Sequence, residues 1–101
     1  MKRRSVTIGG KRFAVRVVSD VRAHLREIAP EEPHERQILA GYCDVEDGLI
    51  VVARDRSQKA MASTFLHELL HAAGLGADQE RLVYRLERLL FPVLWNQGWR
   101  P

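Results

Sequence analysis

Residues 57–76 read SQKAMASTFLHELLHAAGLG, and this stretch decides how the rest of the chain has to fold. Ser57 has the side chain of a helix N-cap, and Gly74 suits the position just beyond a last helical turn. Between them, most residues around the two histidines are apolar, which is typical of a helix buried on most of its surface. The stretch therefore predicts a helix that ends near Ala73 and is covered by the other elements.

Upstream of this helix, the pattern predicts two β-hairpins separated by a short helix. Apolar and polar residues alternate over residues 6–17 around Gly9-Gly10, a glycine turn suited to a hairpin. Asp20 is expected to cap the short helix. The apolar runs 38–43 and 49–53 flank a segment with turn chemistry and predict the second hairpin.

Downstream, Asp78 is expected to cap a last helix, and Pro92 to kink or end that helix near Phe91. This helix carries one apolar stripe, formed by Leu82, Val83, Leu86, Leu89, Leu90 and Val93. The element order predicts an α+β fold, in which a small antiparallel sheet packs against the helices. A length of 101 residues predicts a single domain over 1–101.

Composition excludes several classes of protein. Cys43 is the one cysteine, so an intramolecular disulfide framework and any zinc site with two or more thiolates are excluded. We expect Cys43 to be a small buried hydrophobe. No apolar run has the length of a membrane span, and no apolar segment follows the basic start, so we expect a soluble cytoplasmic protein without a signal peptide.

The formal net charge of +3 is unevenly distributed. Residues 1–26 carry eight basic residues and one acid, a net charge of +7, and residues 27–101 carry eight basic and twelve acidic residues, a net charge of −4. A basic N-terminal region is compatible with a nucleic acid or another acidic partner, although a solvated basic face is the simpler interpretation because no nucleic-acid motif accompanies it.

The chemistry lies in the sequence His67-Glu68-Leu69-Leu70-His71. Residues four apart on a helix differ by about 40° of rotation and about 6 Å of rise, so both imidazoles project from one face and can bind one zinc ion. Glu68 lies about 100° away around the helix, where it can take a proton from a water on the zinc. The competing interpretation is a pair of core histidines satisfied by hydrogen bonds.

The five-residue motif resembles the HExxH motif of zincin metallopeptidases. The stretch from Gly41 to about Leu94 resembles small phage-type metallopeptidases that look like minimal gluzincins. The resemblance implies a zinc-dependent hydrolase of peptide bonds, with His67 and His71 as metal ligands and Glu68 as the general base.

The sequence offers several candidates for the third ligand. The metzincin pattern would place it at Ala77, which has no ligating atom, whereas a gluzincin takes a glutamate from the following helix. If the last two helices pack antiparallel, Glu80 lies about 3 Å from the level of the metal and Glu87 about 7.5 Å from it. We therefore choose Glu80, with Asp78 and Glu87 as reserves. The alternative is that Glu80 is an acid in the first helical turn that interacts favourably with the helix dipole.

Two further expectations concern the substrate. Tyr84 lies on the Glu80 face, level with His67, where its hydroxyl could stabilise an oxyanion, although an ordinary boundary tyrosine is the simpler interpretation. Residues 49–53 are considered as an edge strand that adds an extended peptide. The partner is thus a peptide or protein substrate. The alternative function is a zinc-containing, non-catalytic binding module whose basic N-terminal region engages nucleic acid or a protein.

Overall fold

The structure is a computed structural model that describes residues 4–28, 40–54 and 57–101. The acidic loop around Pro30 and Pro33 and the start of the apolar run at Ile38 lie outside the described residues. The elements, in chain order, are β1 (Ser5–Ile8), β2 (Lys11–Val18), α1 (Val21–Ile28), β3 (Gly41–Asp44), β4 (Leu49–Ala53), α2 (Gln58–Ala72) and α3 (Glu80–Asn96), with a 3-10 turn over Ala77–Gln79 before α3.

Both predicted hairpins are present, and the fold class is α+β, as predicted. β1 pairs with β2 and β3 pairs with β4, each antiparallel. Gly9 and Gly10 have φ of 57° and 80°, the left-handed values that a tight two-residue hairpin turn requires.

The sheet is mixed rather than antiparallel throughout, because β2 and β4 run parallel and join the two hairpins. The strand order is β1-β2-β4-β3. The expectation that residues 49–53 form an edge strand is therefore wrong, since β4 lies between β2 and β3. Among the strands in the described residues, β3 is the edge strand on this side of the sheet.

The sheet, α2 and α3 form successive layers. Side chains of β2 and β4 that point to one face of the sheet pack against α2 in the main core, which comprises Phe13, Val15, Ile50, Val52, Met61 and Phe65. α3 packs on α2 through Phe91, which meets Ala62 and Leu66 in a second cluster. α2 is thus sandwiched between sheet and helix, as its apolar sequence predicts.

The capping predictions had mixed outcomes. Ser57 Oγ accepts from the backbone N–H of Ala60 at 2.9 Å, and Asp20 Oδ1 accepts from that of Ala23 at 3.1 Å, so both N-caps are confirmed. Asp78 is not the cap of α3, because it lies inside the 3-10 turn. That turn is closed instead by Gln79, whose side-chain Oε1 accepts from the N–H of Gly76 at 3.1 Å.

α3 also differs from the prediction at its C-terminal half. The helix continues through Pro92 to Asn96, so Pro92 does not end it. A proline removes one backbone hydrogen bond, and packing of Leu94 and Trp95 against the second cluster offsets that loss. Within the predicted apolar stripe Val83 is fully buried, while Leu82, Leu89, Leu90 and Val93 are exposed.

Gly41 sets the distance between the edge strand and α2. A β carbon at this position would lie 2.6 Å from the carbonyl oxygen of Val51, 2.9 Å from Cγ2 of Thr64 and 3.2 Å from Oε2 of Glu68. Only glycine permits this approach, because real β carbons do not come within 3.0 Å of backbone atoms. β3 therefore lies directly against the stretch of α2 that carries the motif.

Candidate metal centre

The predicted ligands come together between α2 and α3. His67 Nε2 lies 2.5 Å from Oε1 of Glu80, and His71 Nε2 lies 2.7 Å from Oε2 of the same carboxylate. One ligating atom from each of the three residues lies within 4.8 Å of the other two, so the group can hold a metal ion. The antiparallel packing of the last two helices, which was assumed from the sequence, therefore correctly places Glu80 at the level of the two histidines.

The other ring nitrogens are also engaged. Nδ1 of His67 donates to Oε2 of Glu87 at 2.9 Å, and Nδ1 of His71 donates to the carbonyl oxygen of Leu75 at 2.5 Å. Glu87 is held in turn by the hydroxyl of Ser63, which donates to Oε1 at 2.7 Å. Each imidazole is thus fixed in orientation by a hydrogen bond on the side away from Glu80.

These bonds assign the tautomers. A carboxylate or a carbonyl oxygen only accepts, so each Nδ1 carries the hydrogen, and in the neutral ring Nε2 then presents a lone pair. Two lone pairs and a carboxylate repel one another unless a proton or a metal cation lies between them. The donor set therefore favours a cation.

The distances from the Glu80 carboxylate to the two histidines lie within about 1 Å of the donor spacing in a metal site. An ion at about 2.0–2.1 Å from tetrahedrally arranged nitrogen and oxygen donors holds the donors about 3.3 Å apart. His67 Nε2 and Oε1 of Glu80 would have to separate by less than about 1 Å to reach that spacing.

The charges around His67 also favour a cation. Burial by itself would lower the pKa of this imidazole, but the hydrogen bond with Glu87 and the nearby charges of Glu68 and Glu80 outweigh burial, so the pKa is raised. The site thus attracts positive charge from three carboxylates that converge on one ring.

Glu68 is the one buried charged side chain among the described residues, at 5% exposure. Burial raises the pKa of its carboxyl group to about 7, opposed by the charges of His67 and His71 and reinforced by those of Glu80 and Glu87. A carboxyl group that titrates near neutral pH exchanges protons readily under physiological conditions. This is the electrostatic state that a general base requires.

A cavity of about 920 Å³ opens beside these groups. Its walls include His67, His71 and Glu80, and the edge strand β3 forms another wall. Tyr84 lines it, is 61% exposed, and packs its ring edge-on against His67 at a centroid distance of 4.7 Å. Extended backbone and the donor group thus share one open space.

The sequence did not anticipate what Glu87 does. Instead of offering an alternative third ligand, it lies behind His67 and orients that ring. The spacing of the two glutamates could have predicted that Glu87 lies near the histidines, because Glu80 and Glu87 are seven residues apart and so share one face of α3. On α2, Ser63 precedes His67 by four residues, which places the hydroxyl beside the same ring. The other reserve, Asp78, does not belong to the ligand group.

Several other reactive or charged side chains do not belong to the ligand group. Cys43 is half-buried, and burial, followed by the charges of Glu68 and Asp44, raises the pKa of its thiol to about 11. The ring of His24 lies beside that of Tyr42, tilted by 34° at a centroid distance of 6.2 Å. Arg12 and Arg16 are exposed, and they alternate along β2 with core residues. They therefore point away from α2 and the donor group.

Comparisons of the chain with protein-family models, with curated proteins and with solved structures find no match. None of the helices in the described ranges has the length and apolar character needed to cross a lipid bilayer.

The buried carboxyl group of Glu68 predicts a pH-dependent effect on stability in the metal-free protein. Its folded pKa of about 7 exceeds its ordinary value of 4.5, so between these values the folded chain binds more protons than the unfolded chain. The free energy of unfolding therefore falls as pH rises through this window, by up to about 3 kcal/mol. Glu68→Gln should raise Tm by at least about 5 °C at pH 8 and much less at pH 5, measured by calorimetry with excess chelator.

The exposed residue Glu46 provides a control, because Glu46→Gln removes a carboxylate that is not buried and should leave Tm unchanged at both pH values. An equal gain from Glu68→Gln at pH 5 and pH 8 would show that Glu68 is not a buried acid with a raised pKa.

Proposed function

We propose that this protein is a zinc-dependent metallopeptidase that hydrolyses peptide bonds. The observation that carries the proposal is the convergence of Nε2 of His67, Nε2 of His71 and the carboxylate of Glu80, beside a buried Glu68. Three protein ligands leave one position of a tetrahedral site open, which is the arrangement of a catalytic rather than a structural zinc site.

The donor types support zinc over other cations. Imidazole nitrogen suits zinc and other late transition metals, whereas magnesium and calcium take oxygen ligands. Zinc, when bound, lowers the pKa of a coordinated water toward 7 and polarises a carbonyl group. Glu87 and the carbonyl of Leu75 hold the two imidazoles in the tautomer that ligates through Nε2.

Other residues of the chain transfer the proton, stabilise the oxyanion and bind the peptide. The carboxylate of Glu68 takes a proton from the attacking water and passes it to the leaving amine. Tyr84 lines the cavity, and its hydroxyl donates to the oxyanion that develops on the scissile carbonyl. The edge strand β3 offers backbone groups for an extended peptide, taking the part assigned to residues 49–53 from the sequence.

The ligand assignment predicts an order of zinc affinities. Glu87→Gln removes an orienting carboxylate and should weaken zinc binding about 10–100-fold. Glu80→Gln removes the charged ligand and should weaken it further. Competition with a chromophoric chelator measures both. Asp78→Asn is the matched control, since it neutralises a neighbouring acid outside the donor group, and a loss as large as that of Glu80→Gln would contradict the assignment.

The proposed role of Glu68 as general base is tested by measuring the activity of the Glu68→Gln variant. Glu68→Gln should retain one zinc ion per chain, because Glu68 is not a ligand, and should lower hydrolysis of fluorescence-quenched casein and peptide libraries by at least about 100-fold. His71→Ala should lose both zinc and activity. Hydrolysis by Glu68→Gln at the wild-type rate would exclude Glu68 as the base. A zinc-loaded wild-type chain that cleaves none of these substrates would favour the non-catalytic binding module.

A further inference from the structure

α3 carries a second apolar face that, in the part of the chain that the structure describes, remains largely exposed to solvent. Four residues spaced 4, 3 and 4 apart, Leu82, Leu86, Leu89 and Val93, form a narrow seam along the helix. Leu82, Leu89 and Val93 are 39%, 57% and 59% exposed. Apolar residues at this spacing, which repeats every 3.5 residues, are those that a second helix packs against in a coiled coil. We call these four residues the α3 seam.

The layer order explains why the seam is uncovered. α3 packs on α2 through Phe91 and Leu94, and on the same side of the helix Glu80 and Glu87 make hydrogen bonds with His67. The seam lies roughly 100° or more around the helix from Glu87 and Phe91, so α2 cannot cover it. Contiguous exposed apolar surface of this kind marks interaction sites in soluble domains.

The charge beside the seam has one sign. Arg85 borders it directly, and Arg81 and Arg88 lie further around on the same side. All three are exposed, and none makes an ion pair or hydrogen bond with any part of the chain that the structure describes. The acids of α3, Glu80 and Glu87, are engaged with the two histidines on another face. The seam is therefore bordered by uncompensated positive charge.

We propose that the α3 seam is a docking surface for an amphipathic helix of another protein, with an apolar seam of its own and acidic residues along its flank. Charges that flank a helical seam determine which partner helix binds, because opposite charges attract across the seam and like charges repel. An acidic flank would pair with Arg85 and its neighbours. Docking here leaves the cavity and its donor residues free, since these lie on the other side of α3.

Charge argues against a second copy of this chain as the occupant. Antiparallel pairing of two seams places Arg85 beside its own counterpart, and parallel pairing places it opposite Leu90 rather than an acid. A membrane surface fits less well than a helix. The seam is narrow, has basic residues on one side only, and lacks the aromatic residues typical of helices that lie in a lipid interface.

The test uses three synthetic peptides of three heptads each, with the full chain. The first carries leucine along its seam and glutamate on both flanks, the second replaces the glutamates with lysine, and the third keeps the glutamates but replaces the leucines with serine. The first should bind, as measured by fluorescence anisotropy, and raising the salt concentration should weaken it. The second and third should bind at least about tenfold more weakly.

Two variants of the chain complete the test. Arg85→Glu with Arg88→Glu should reverse the preference, so that the lysine peptide binds more tightly than the glutamate peptide. Arg12→Glu with Arg16→Glu makes the same charge change on the sheet and should leave the preference unchanged. Leu89→Ser should weaken binding about tenfold while leaving Tm unchanged, because Leu89 is exposed.

Several results would overturn the proposal. One is equal binding of the glutamate and lysine peptides, and another is binding of none of the three. A chain that sediments as a dimer and becomes monomeric on Leu89→Ser would assign the seam to a second copy. Binding to vesicles containing anionic phospholipid that is lost in Leu89→Ser would assign it to a membrane.

Discussion

The site depends on one contact, the Glu80 carboxylate between the Nε2 atoms of His67 and His71. This contact joins the first turn of α3 to the last two turns of α2. It brings two nitrogen lone pairs and a negatively charged carboxylate close together. Such an arrangement persists only with positive charge at its centre, whether a proton or a metal ion. The hydrogen bonds to Glu87 and Leu75 make it specific, because they leave each Nε2 free to face inward.

A second constraint is the closeness of β3 to α2. Gly41 lets the edge strand approach the helix until a β carbon would touch Thr64 and Glu68. The same packing buries the Glu68 carboxyl group and raises its pKa to about 7. One tight contact therefore supplies both a wall of extended backbone and a carboxyl group tuned to neutral pH, although local packing alone would favour an apolar residue at position 68.

Local signals predicted much of this molecule. The alternation of residues 6–17, the caps at Asp20 and Ser57, and the helical spacing of His67 and His71 are short-range features, and all appear in the fold. The parallel pairing of β2 with β4 is a long-range choice that no local pattern encodes, so the sheet was expected to be antiparallel. Pro92 does not end α3, as the continuation of the helix to Asn96 shows, because packing of the last turns against α2 is a tertiary effect that no local pattern encodes.

At the site, the position of Glu80 followed from helix geometry because a short turn fixes how α2 and α3 pair. The part played by Glu87 did not follow, since a side chain that orients a ligand leaves no motif of its own. The exposure of one face of α3 could not be predicted either, because an apolar stripe in a sequence does not show whether a neighbouring element covers it.

X-ray absorption at the zinc edge of the zinc-loaded chain tests the central claim most directly. The account predicts a shell of nitrogen and oxygen donors at about 2.0–2.1 Å, with outer-shell scattering from two imidazole rings and no sulfur. A sulfur donor at about 2.3 Å, which would have to come from Cys43, or a shell of oxygen alone would contradict it.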